Sequence, residues 1–244
     1  MPKRRREGAG DSWHESADKW YGTTVEHWKA TTDVLGGYSE VDQADAAGSL
    51  AWLSQLGWAD RASPRPGTRA LDCGAGVGRV SEGVLLRVCE TVDLVEVSPP
   101  LLERARERLA PFGARRVNFI LASLRDFAPD SRTYDLVWMQ WVLGHLTDPD
   151  VVLLLQRCRA ALAHGGCLVV KDNNAVPSEC RAAQGRGKYK LDAANGAVIR
   201  THNHLRALFR RAGLRCDRFE LQRGFPAELY AVRSYHLVDA SSPQ

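Results

Sequence analysis

The chain has 244 residues, of which 44% are hydrophobic and 25% are charged, with a formal net charge of +4 at pH 7. This length fits one α/β domain with a short extension, and no apolar run approaches the roughly eighteen residues that a membrane helix needs, so we expect no membrane role. Lys3, Arg4, Arg5 and Arg6 account for the excess positive charge, so the rest of the chain is neutral. A neutral body argues against a nucleic-acid partner.

Residues 1–11 are charged, contain glycine and have no periodicity, which predicts a disordered basic tail. Its four basic residues are either a solvated end or a nuclear import signal. The six cysteines include no C-x-x-C pair and are mostly surrounded by apolar residues, so we expect reduced thiols rather than a disulfide frame or a zinc site. The expected location is therefore the cytoplasm and the nucleus, with no metal in the protein.

Residues 12–60 are expected to form an N-terminal helical segment. Aromatic residues recur there at mixed helical spacing, Gly36-Gly37 breaks the pattern, and a helix of about fifteen residues then runs to Leu56. The segment contains more tryptophan before the glycine pair than a solvated helix needs. These side chains either pack against the core or form a lid over a ligand.

The stretch 61–240 alternates short apolar strands with helical periods, which predicts a mostly parallel sheet covered on both faces. The last two strands have no helix between them, so we expect an antiparallel hairpin at one edge of a seven-stranded, doubly wound α/β fold. Residues 171–201 are expected to form a long loop. The predicted strands are 70–73, 92–95, 117–120, 135–139, 167–170, 214–222 and 229–237, and the predicted helices are 78–88, 99–110, 149–163 and 202–212.

A glycine-rich turn follows the first of these strands and opens a helix, where backbone N–H groups meet nucleotide-like ligands in such sheets. A dinucleotide fingerprint needs a third glycine at position 79, but that residue is Arg79. Residues 74–78 have the form G-x-G-x-G instead, which is typical of methyltransferases. Arg79, just inside the start of the helix, either pairs with a carboxylate of the ligand or is an exposed helical residue. Glu96 ends the second strand and either accepts hydrogen bonds from two ribose hydroxyls or is a solvated acid that caps the next helix.

Three further stretches carry a more specific similarity: Leu35-Gly36-Gly37-Tyr38, the run Trp-Met-Gln-Trp-Val-Leu-Gly-His-Leu-Thr-Asp over 138–148, and Val170-Lys171-Asp172-Asn173. Together they resemble the protein α-N-terminal methyltransferases, which recognise Xaa-Pro-Lys or Xaa-Pro-Arg at the start of a polypeptide. The resemblance covers roughly residues 17–238. It implies a class I methyltransferase fold, S-adenosyl-L-methionine as cofactor and protein N-termini as partners, and it leaves the oligomeric state open.

The resemblance also implies a role for individual residues. Those expected around S-adenosylmethionine are Gly74, Gly76, Arg79, Glu96, Val97, Leu124, Arg125 and Gln140. Those expected around the peptide are Leu35, Gly36, Val41, Trp141, Asp192 and Tyr230. Trp141 is expected to stack on the substrate proline, Tyr230 to hydrogen-bond the peptide backbone, and Asp192 to attract the Lys or Arg side chain at the third position.

The expected catalytic residues are His145, Asn173 and Asn195. A free α-amine has a pKa of about 7.7–8.0, so much of it is cationic at neutral pH and must lose a proton before it can attack a methyl sulfonium. Since histidine is the side chain that titrates near neutrality, His145 is the expected proton acceptor, while Asn173 orients the amine. The remaining catalysis is the orientation of two bound substrates.

The sequence departs from this family pattern at Glu96, where the family often has aspartate, at Arg125, where it often has glutamine, and in one later region. Asn195 stands where the family normally has an aspartate near the amine, Ala197 replaces a serine, and the loop over 176–190 is longer and more basic. These changes leave the rate and the preferred peptide open. Two other functions also stay open: a small-molecule methyltransferase with the tryptophan-rich N-terminus as its lid, and a catalytically silent protein that binds cofactor and peptide.

Overall fold

The computed structural model describes residues 21, 22, 26, 28, 41–58, 63–180, 188–192 and 197–242. Three of the predicted site residues, Leu35, Gly36 and Asn195, lie outside the described residues, as does the basic tail over 1–11. No helix in the described part of the chain is long and apolar enough to cross a membrane.

The strands of the described residues are β1 (Arg65–Cys73), β2 (Cys89–Glu96), β3 (Val117–Leu121), β4 (Tyr134–Gln140), β5 (Leu162–Asn174), β6 (Tyr189–Leu191), β7 (Val198–Arg200), β8 (Leu214–Leu221) and β9 (Ala231–Asp239). Seven of them form the central sheet, with the order β3-β2-β1-β4-β5-β9-β8. The first five strands along the chain pair in parallel, and β9 and β8 add antiparallel at one edge. This confirms the predicted fold class.

Helices cover both faces of the sheet. They are α1 (Val41–Gln55), a π-helical segment (Ser81–Leu85) that continues into α2 (Leu86–Val88), then α3 (Pro99–Leu109), α4 (Asp148–Ala160) and α5 (His202–Arg211). Thr147 and Thr201 cap α4 and α5, each accepting a backbone N–H three residues on through its hydroxyl. Threonine favours this position because its side chain satisfies a donor that the first turn leaves free.

The central strands are buried on both faces, which explains their continuous apolar runs. On β4, Val137 and Met139 face a core formed with α4 and α5, while Leu136 and Trp138 face a second core formed with α1, α2 and α3. The two cores therefore hold the carboxyl ends of the parallel strands in fixed positions along one edge of the sheet.

Three local predictions were wrong. The helix predicted over 149–163 ends at Ala160, because Leu162 already pairs with Tyr134 at the start of β5. That strand extends over Leu162–Asn174 rather than 167–170. The long loop predicted after it contains a two-stranded antiparallel hairpin, in which Tyr189 pairs with Arg200. Strands of three residues are too short to show a periodicity, so no pattern in the sequence announced them.

Candidate active site

A cavity of about 610 Å³ lies at the carboxyl ends of the first four strands of the sheet. From β1 the strand order runs through β2 to β3 on one side of the sheet, and β4 then lies on the other side of β1. The cavity lies where the strand order reverses, which is the usual ligand position in such folds. Its wall comes from the segments that follow these strands and from the N-terminal segment. The described N-terminal residues in the wall are Tyr21, Gly22, Glu26 and Trp28.

The glycine-rich turn after β1 forms one wall of the cavity. Gly74 and Gly76 have φ angles of +74° and +55°, which side chains other than glycine rarely adopt. The N–H of Gly74 donates to the Val95 carbonyl at 2.8 Å, which holds the turn against β2. A Cβ atom on Gly74 would lie 2.4 Å from Cγ2 of Val142. The turn therefore requires glycine on both conformational and steric grounds.

Glu96 presents a buried carboxylate to the cavity from the end of β2. Its Oε2 accepts the N–H of Gly76 at 2.9 Å, and its Oε1 accepts the N–H groups of Val97 and Ser98 at 2.8 and 2.9 Å. Burial raises the pKa of Glu96, and the three backbone donors oppose that rise. The carboxylate thus joins the glycine turn to the start of α3 and lines the cavity. It is buried, so it is not the solvated capping acid of the second alternative.

Arg79 belongs to a buried charged cluster rather than to an exposed helix face, since its side chain is 10% exposed. Its Nη1 donates to Oδ1 of Asp42 at 2.9 Å and to Oδ2 of Asp45 at 2.6 Å. Lys171 on β5 is fully buried, and its Nζ lies 2.6 Å from Oδ1 of Asp45. Nε2 of Gln140 donates to Oδ2 of Asp45 at 2.7 Å. Asp45, on α1, therefore joins two cations and an amide from three other segments.

The charges in this cluster compensate one another. Burial acts to raise the pKa of Asp45, but the charges of Lys171 and Arg79 and their hydrogen bonds outweigh it and lower that pKa. Burial lowers the pKa of Lys171, and the Asp45 carboxylate opposes this shift. Asp42, Asp45 and Lys171 were not predicted as site residues. The signal for Lys171 is its position directly after the apolar run over 167–170 of β5, since a charge that a strand buries needs a partner.

Trp141 follows β4 in a left-handed backbone conformation, with φ of +53°. Such a conformation is unusual for a bulky side chain and is found where the surrounding structure enforces it. The backbone N–H of Trp141 donates to the Lys171 carbonyl at 3.0 Å. The Arg79 guanidinium lies 5.2 Å from the centre of the indole ring. The Phe225 ring lies 6.4 Å away. Trp141 is half-buried and lines the cavity, so it is not a core residue.

His145 lies in the same wall, at the end of a 3₁₀ turn (Leu143–His145). The Trp28 ring meets the imidazole edge-on, with 5.1 Å between the ring centres. Tyr21 fixes the same N-terminal segment to α4, because its hydroxyl donates to Oδ2 of Asp150 at 2.5 Å and accepts the N–H of Thr147 at 3.0 Å. The described residues of the N-terminal segment thus form part of the wall around His145.

Every residue predicted to surround S-adenosylmethionine lines this cavity, as do Trp141 and His145. The predicted cofactor residues are Gly74, Gly76, Arg79, Glu96, Val97, Leu124, Arg125 and Gln140. Four other predicted residues do not line the cavity as the described residues form it. Val41 is buried at the start of α1, and Asn173 is the residue before the last one of β5. Asp192 follows β6, and Tyr230 packs on a small cluster next to the β6–β7 hairpin.

The β6–β7 hairpin lies directly beside the turn that carries His145. A Cβ atom on Gly144 would lie 3.3 Å from the Val198 carbonyl oxygen and 3.4 Å from Cβ of Ala197. The N–H of Asp192 donates to the Ala197 carbonyl at 2.8 Å across the same hairpin. The hairpin that the sequence did not predict therefore places Ala197, the hydrogen-bond partner of Asp192, against the turn that carries His145.

Comparison with known proteins identifies close relatives of the whole chain. A family model described as S-adenosylmethionine-dependent proline dimethyltransferase matches residues 15–238. The N-terminal Xaa-Pro-Lys N-methyltransferase 1 of Danio rerio is 37% identical over 227 residues, covering 91% of this chain and 97% of the relative. The alpha N-terminal protein methyltransferase 1 of Arabidopsis thaliana is 36% identical over 250 residues, with 98% of this chain and 87% of the relative covered.

Solved structures give the same result for the fold. A S-adenosylmethionine-dependent methyltransferase of Leishmania major superposes with a TM-score of 0.78 at 31% identity, covering 94% of this chain and 87% of that one. Phosphoethanolamine N-methyltransferase 1 of Haemonchus contortus, solved with S-adenosylhomocysteine, reaches a TM-score of 0.67 at 18% identity, with 97% of this chain and 53% of that one covered. The second likeness shows the fold alone.

Proposed function

Because the chain belongs to the family of S-adenosylmethionine-dependent proline dimethyltransferases, we propose that it methylates the N-terminal α-amine of proteins that begin Xaa-Pro-Lys or Xaa-Pro-Arg. It is an enzyme, and S-adenosylmethionine is its cofactor. The main support for the proposal is that one cavity is lined by the predicted cofactor residues together with Trp141 and His145.

The residues of the cavity fit the cofactor. Gly74 and Gly76 carry no side chains where they line the cavity, so a ligand can approach the backbone of the turn closely. Glu96 provides a buried acceptor for ribose hydroxyls, and its charge disfavours a phosphorylated ribose. Arg79 would pair with the carboxylate of the methionine moiety. Asp42 and Asp45 already share its guanidinium, so they would orient Arg79 and moderate its attraction for that carboxylate.

The chemistry that this protein must supply is deprotonation and orientation of the amine. The bound cofactor provides an electrophilic methyl group and leaves as a neutral thioether. At neutral pH much of the substrate amine carries a proton, because its pKa is about 7.7–8.0. His145 takes up that proton, which frees the nitrogen lone pair to form the new N–C bond. The walls around His145 and Trp141 then hold the amine in line for transfer.

The peptide would run from Trp141 toward the β6–β7 hairpin. Trp141 offers a flat ring to the substrate proline, and its indole N–H is buried without a hydrogen bond to the described residues, so it is also available to a peptide carbonyl. Asn173 would hold the amine, Tyr230 would bond the peptide backbone, and Asp192 would attract the side chain at the third position. This arrangement is supported by the contact of the hairpin with the His145 turn.

Methyl transfer to synthetic peptides tests the proposal. Purified protein, radiolabelled S-adenosylmethionine and a Ser-Pro-Lys-Arg peptide are expected to give labelled peptide, whereas Ser-Gln-Lys-Arg and an N-acetylated Ser-Pro-Lys-Arg peptide are expected to remain unlabelled. Equal labelling of the proline and glutamine peptides would contradict the assigned specificity. Calorimetric binding of both cofactor and peptide without any transfer would instead identify a silent binding protein, and cofactor binding without peptide binding would favour a small-molecule substrate.

A further inference from the structure

Arg200, the last residue of β7, holds the turn that carries His145. Its side chain is 1% exposed. Nη1 donates to the Leu143 carbonyl and Nη2 donates to the Leu146 carbonyl, each at 2.6 Å. These two carbonyls flank His145 in the sequence. One planar guanidinium therefore bridges the two ends of the turn, a geometry that a lysine ammonium cannot reproduce.

A second layer of contacts fixes the guanidinium itself. Its Nε donates to Oδ1 of Asp148 at 2.8 Å, and Oδ2 of the same carboxylate lies 2.6 Å from Nε2 of His204. Burial acts to raise the pKa of Asp148, but the hydrogen bond from His204 and the charge of Arg200 outweigh it and lower that pKa. The Asp148 carboxylate thus stays ionised and ties Arg200 to the start of α4 and, through His204, to α5.

The other side of the turn is held as well. The buried carboxylate of Asp172 accepts the N–H of Asn173 at 2.8 Å and also a backbone hydrogen bond from Leu143. Gly144 packs directly on the backbone of β7 at Val198. The turn before His145 is therefore fixed by a cation, an anion and a steric contact, although none of these groups lines the cavity.

We propose that Arg200 is a positioning residue for methyl transfer, which fixes the imidazole of His145 by bridging the Leu143 and Leu146 carbonyls. The inference rests on the proposed function, in which His145 takes the proton of the amine. A general base must lie within hydrogen-bond reach of the proton it removes, and a displacement of about 1 Å can slow a reaction roughly 100-fold. A bidentate clamp on the two flanking carbonyls limits such a displacement.

A double-mutant cycle tests this role. Arg200→Met is expected to lower kcat on a Ser-Pro-Lys-Arg peptide by about 100-fold, while the Kd for S-adenosylmethionine changes by less than about twofold, because Arg200 does not line the cavity. Arg200→Lys is expected to recover part of the loss, since one ammonium can keep the contact with Asp148 and one carbonyl. Arg210→Met, at an exposed arginine of α5, is the matched control and should leave kcat unchanged.

The decisive comparison uses His145→Ala. If Arg200 acts through His145, the double variant is no slower than His145→Ala alone, and the dependence of kcat on pH is weakened alike in Arg200→Met and His145→Ala. If the two losses multiply, or if His145→Ala keeps full activity, the inference is overturned while the proposed function stands. Failure of the wild-type protein to methylate the peptide at all would overturn both, so the two failures are distinguishable.

A second perturbation covers the case in which Arg200→Met does not fold. Gly144→Ala places a methyl group 3.3 Å from the Val198 carbonyl oxygen and so shifts the same turn without removing a charge. It is expected to lower kcat by roughly tenfold with cofactor binding and melting temperature close to those of the wild-type protein. Unchanged kcat in both Gly144→Ala and Arg200→Lys would show that the position of this turn does not govern the reaction, and would overturn the inference.

Discussion

Asp45→Asn is expected to destabilise the protein strongly, because one carboxylate compensates two buried cations. Its side chain is 1% exposed and contacts both Lys171 and Arg79. In the variant, Arg79 keeps Asp42, whose side chain is 41% exposed. In the part of the chain that the structure describes, Lys171 keeps the Ser49 hydroxyl at 2.9 Å, the backbone carbonyl of residue 45 at 3.1 Å and the Phe225 ring at 6.0 Å. None of these carries a negative charge, and neither does the amide oxygen that replaces a carboxylate oxygen. The loss of unfolding free energy therefore comes mainly from the uncompensated charge of Lys171.

The magnitude follows from two independent estimates. Removing one partner of a buried ion pair costs about 3–5 kcal/mol of unfolding free energy. Lys171 can instead lose its proton, and deprotonating an amine with an ordinary pKa of 10.5 at pH 7 costs about 5 kcal/mol, which sets an upper limit. For a chain of this size, a loss of about 3–5 kcal/mol lowers Tm by about 6–20 °C.

The pH dependence of the loss has a definite sign. In the variant the pKa of Lys171 in the folded state falls further below its unfolded value, so over the range between the two the unfolded state binds more protons. Stability of Asp45→Asn relative to the wild-type protein should therefore rise as the pH increases from 7 toward 10.

Urea denaturation of matched variants measures these effects. Lys171→Met should lose less than Asp45→Asn, since Asp45 then keeps Arg79 and Gln140. The double variant Asp45→Asn with Lys171→Met should recover part of the loss, because the uncompensated lysine is gone. An unfolding free energy of Asp45→Asn within about 1 kcal/mol of the wild-type value would refute this role of Asp45. A loss in the double variant equal to the sum of the two single losses would refute it as well.

Three further predictions concern the cavity and its surroundings. Gly74→Ala should abolish cofactor binding in calorimetry, because its Cβ would lie 2.4 Å from Val142 and the residue has a positive φ. Gly113→Ala is the control, since Gly113 has a positive φ but open space around it. Trp141→Ala should abolish peptide methylation while cofactor affinity stays nearly unchanged, and a parallel fall of both would mean that its contact with Arg79 matters more than the peptide. Asn195→Asp should raise kcat/KM on Xaa-Pro-Lys peptides by roughly tenfold, as about 1.4 kcal/mol of added attraction for the amine requires. If Asn195→Asp gives no gain in kcat/KM across pH 6 to 9 and Asp192→Asn lowers it, Asp192 or Asp172 already supplies the carboxylate.

The cofactor half of the site was predictable from the sequence because it depends on chain order alone. Segments that follow parallel strands meet at one edge of the sheet, so a glycine turn after β1 and an acid at the end of β2 identify the cavity before any packing is known. Glu96 and Gly76 lie 20 positions apart in the sequence and are hydrogen-bonded in the structure. Gln140 and Trp141 were predicted from the family resemblance, and their position at the end of β4 brings them to the same edge of the sheet.

The charged cluster and the clamp on His145 were not predictable, because both depend on contacts between distant segments. Asp45 and Lys171 are 126 positions apart, and Arg200 and Leu143 are 57 apart. Nothing in the local pattern around Asp45 or Arg200 distinguishes them from solvated residues of a helix and a loop. Their burial is decided by how α1 and the β6–β7 hairpin pack on the sheet, which periodicity does not report.

Tandem mass spectrometry of a methylated peptide tests the central claim most directly. A Ser-Pro-Lys-Arg peptide incubated with the protein and S-adenosylmethionine should carry every added methyl group on the N-terminal nitrogen, as the fragment ions that contain the first residue would report. The same peptide incubated with the Gly74→Ala variant should remain unmodified. Methyl groups on the lysine side chain, or transfer that persists in Gly74→Ala, would contradict the assignment of this cavity to N-terminal methylation.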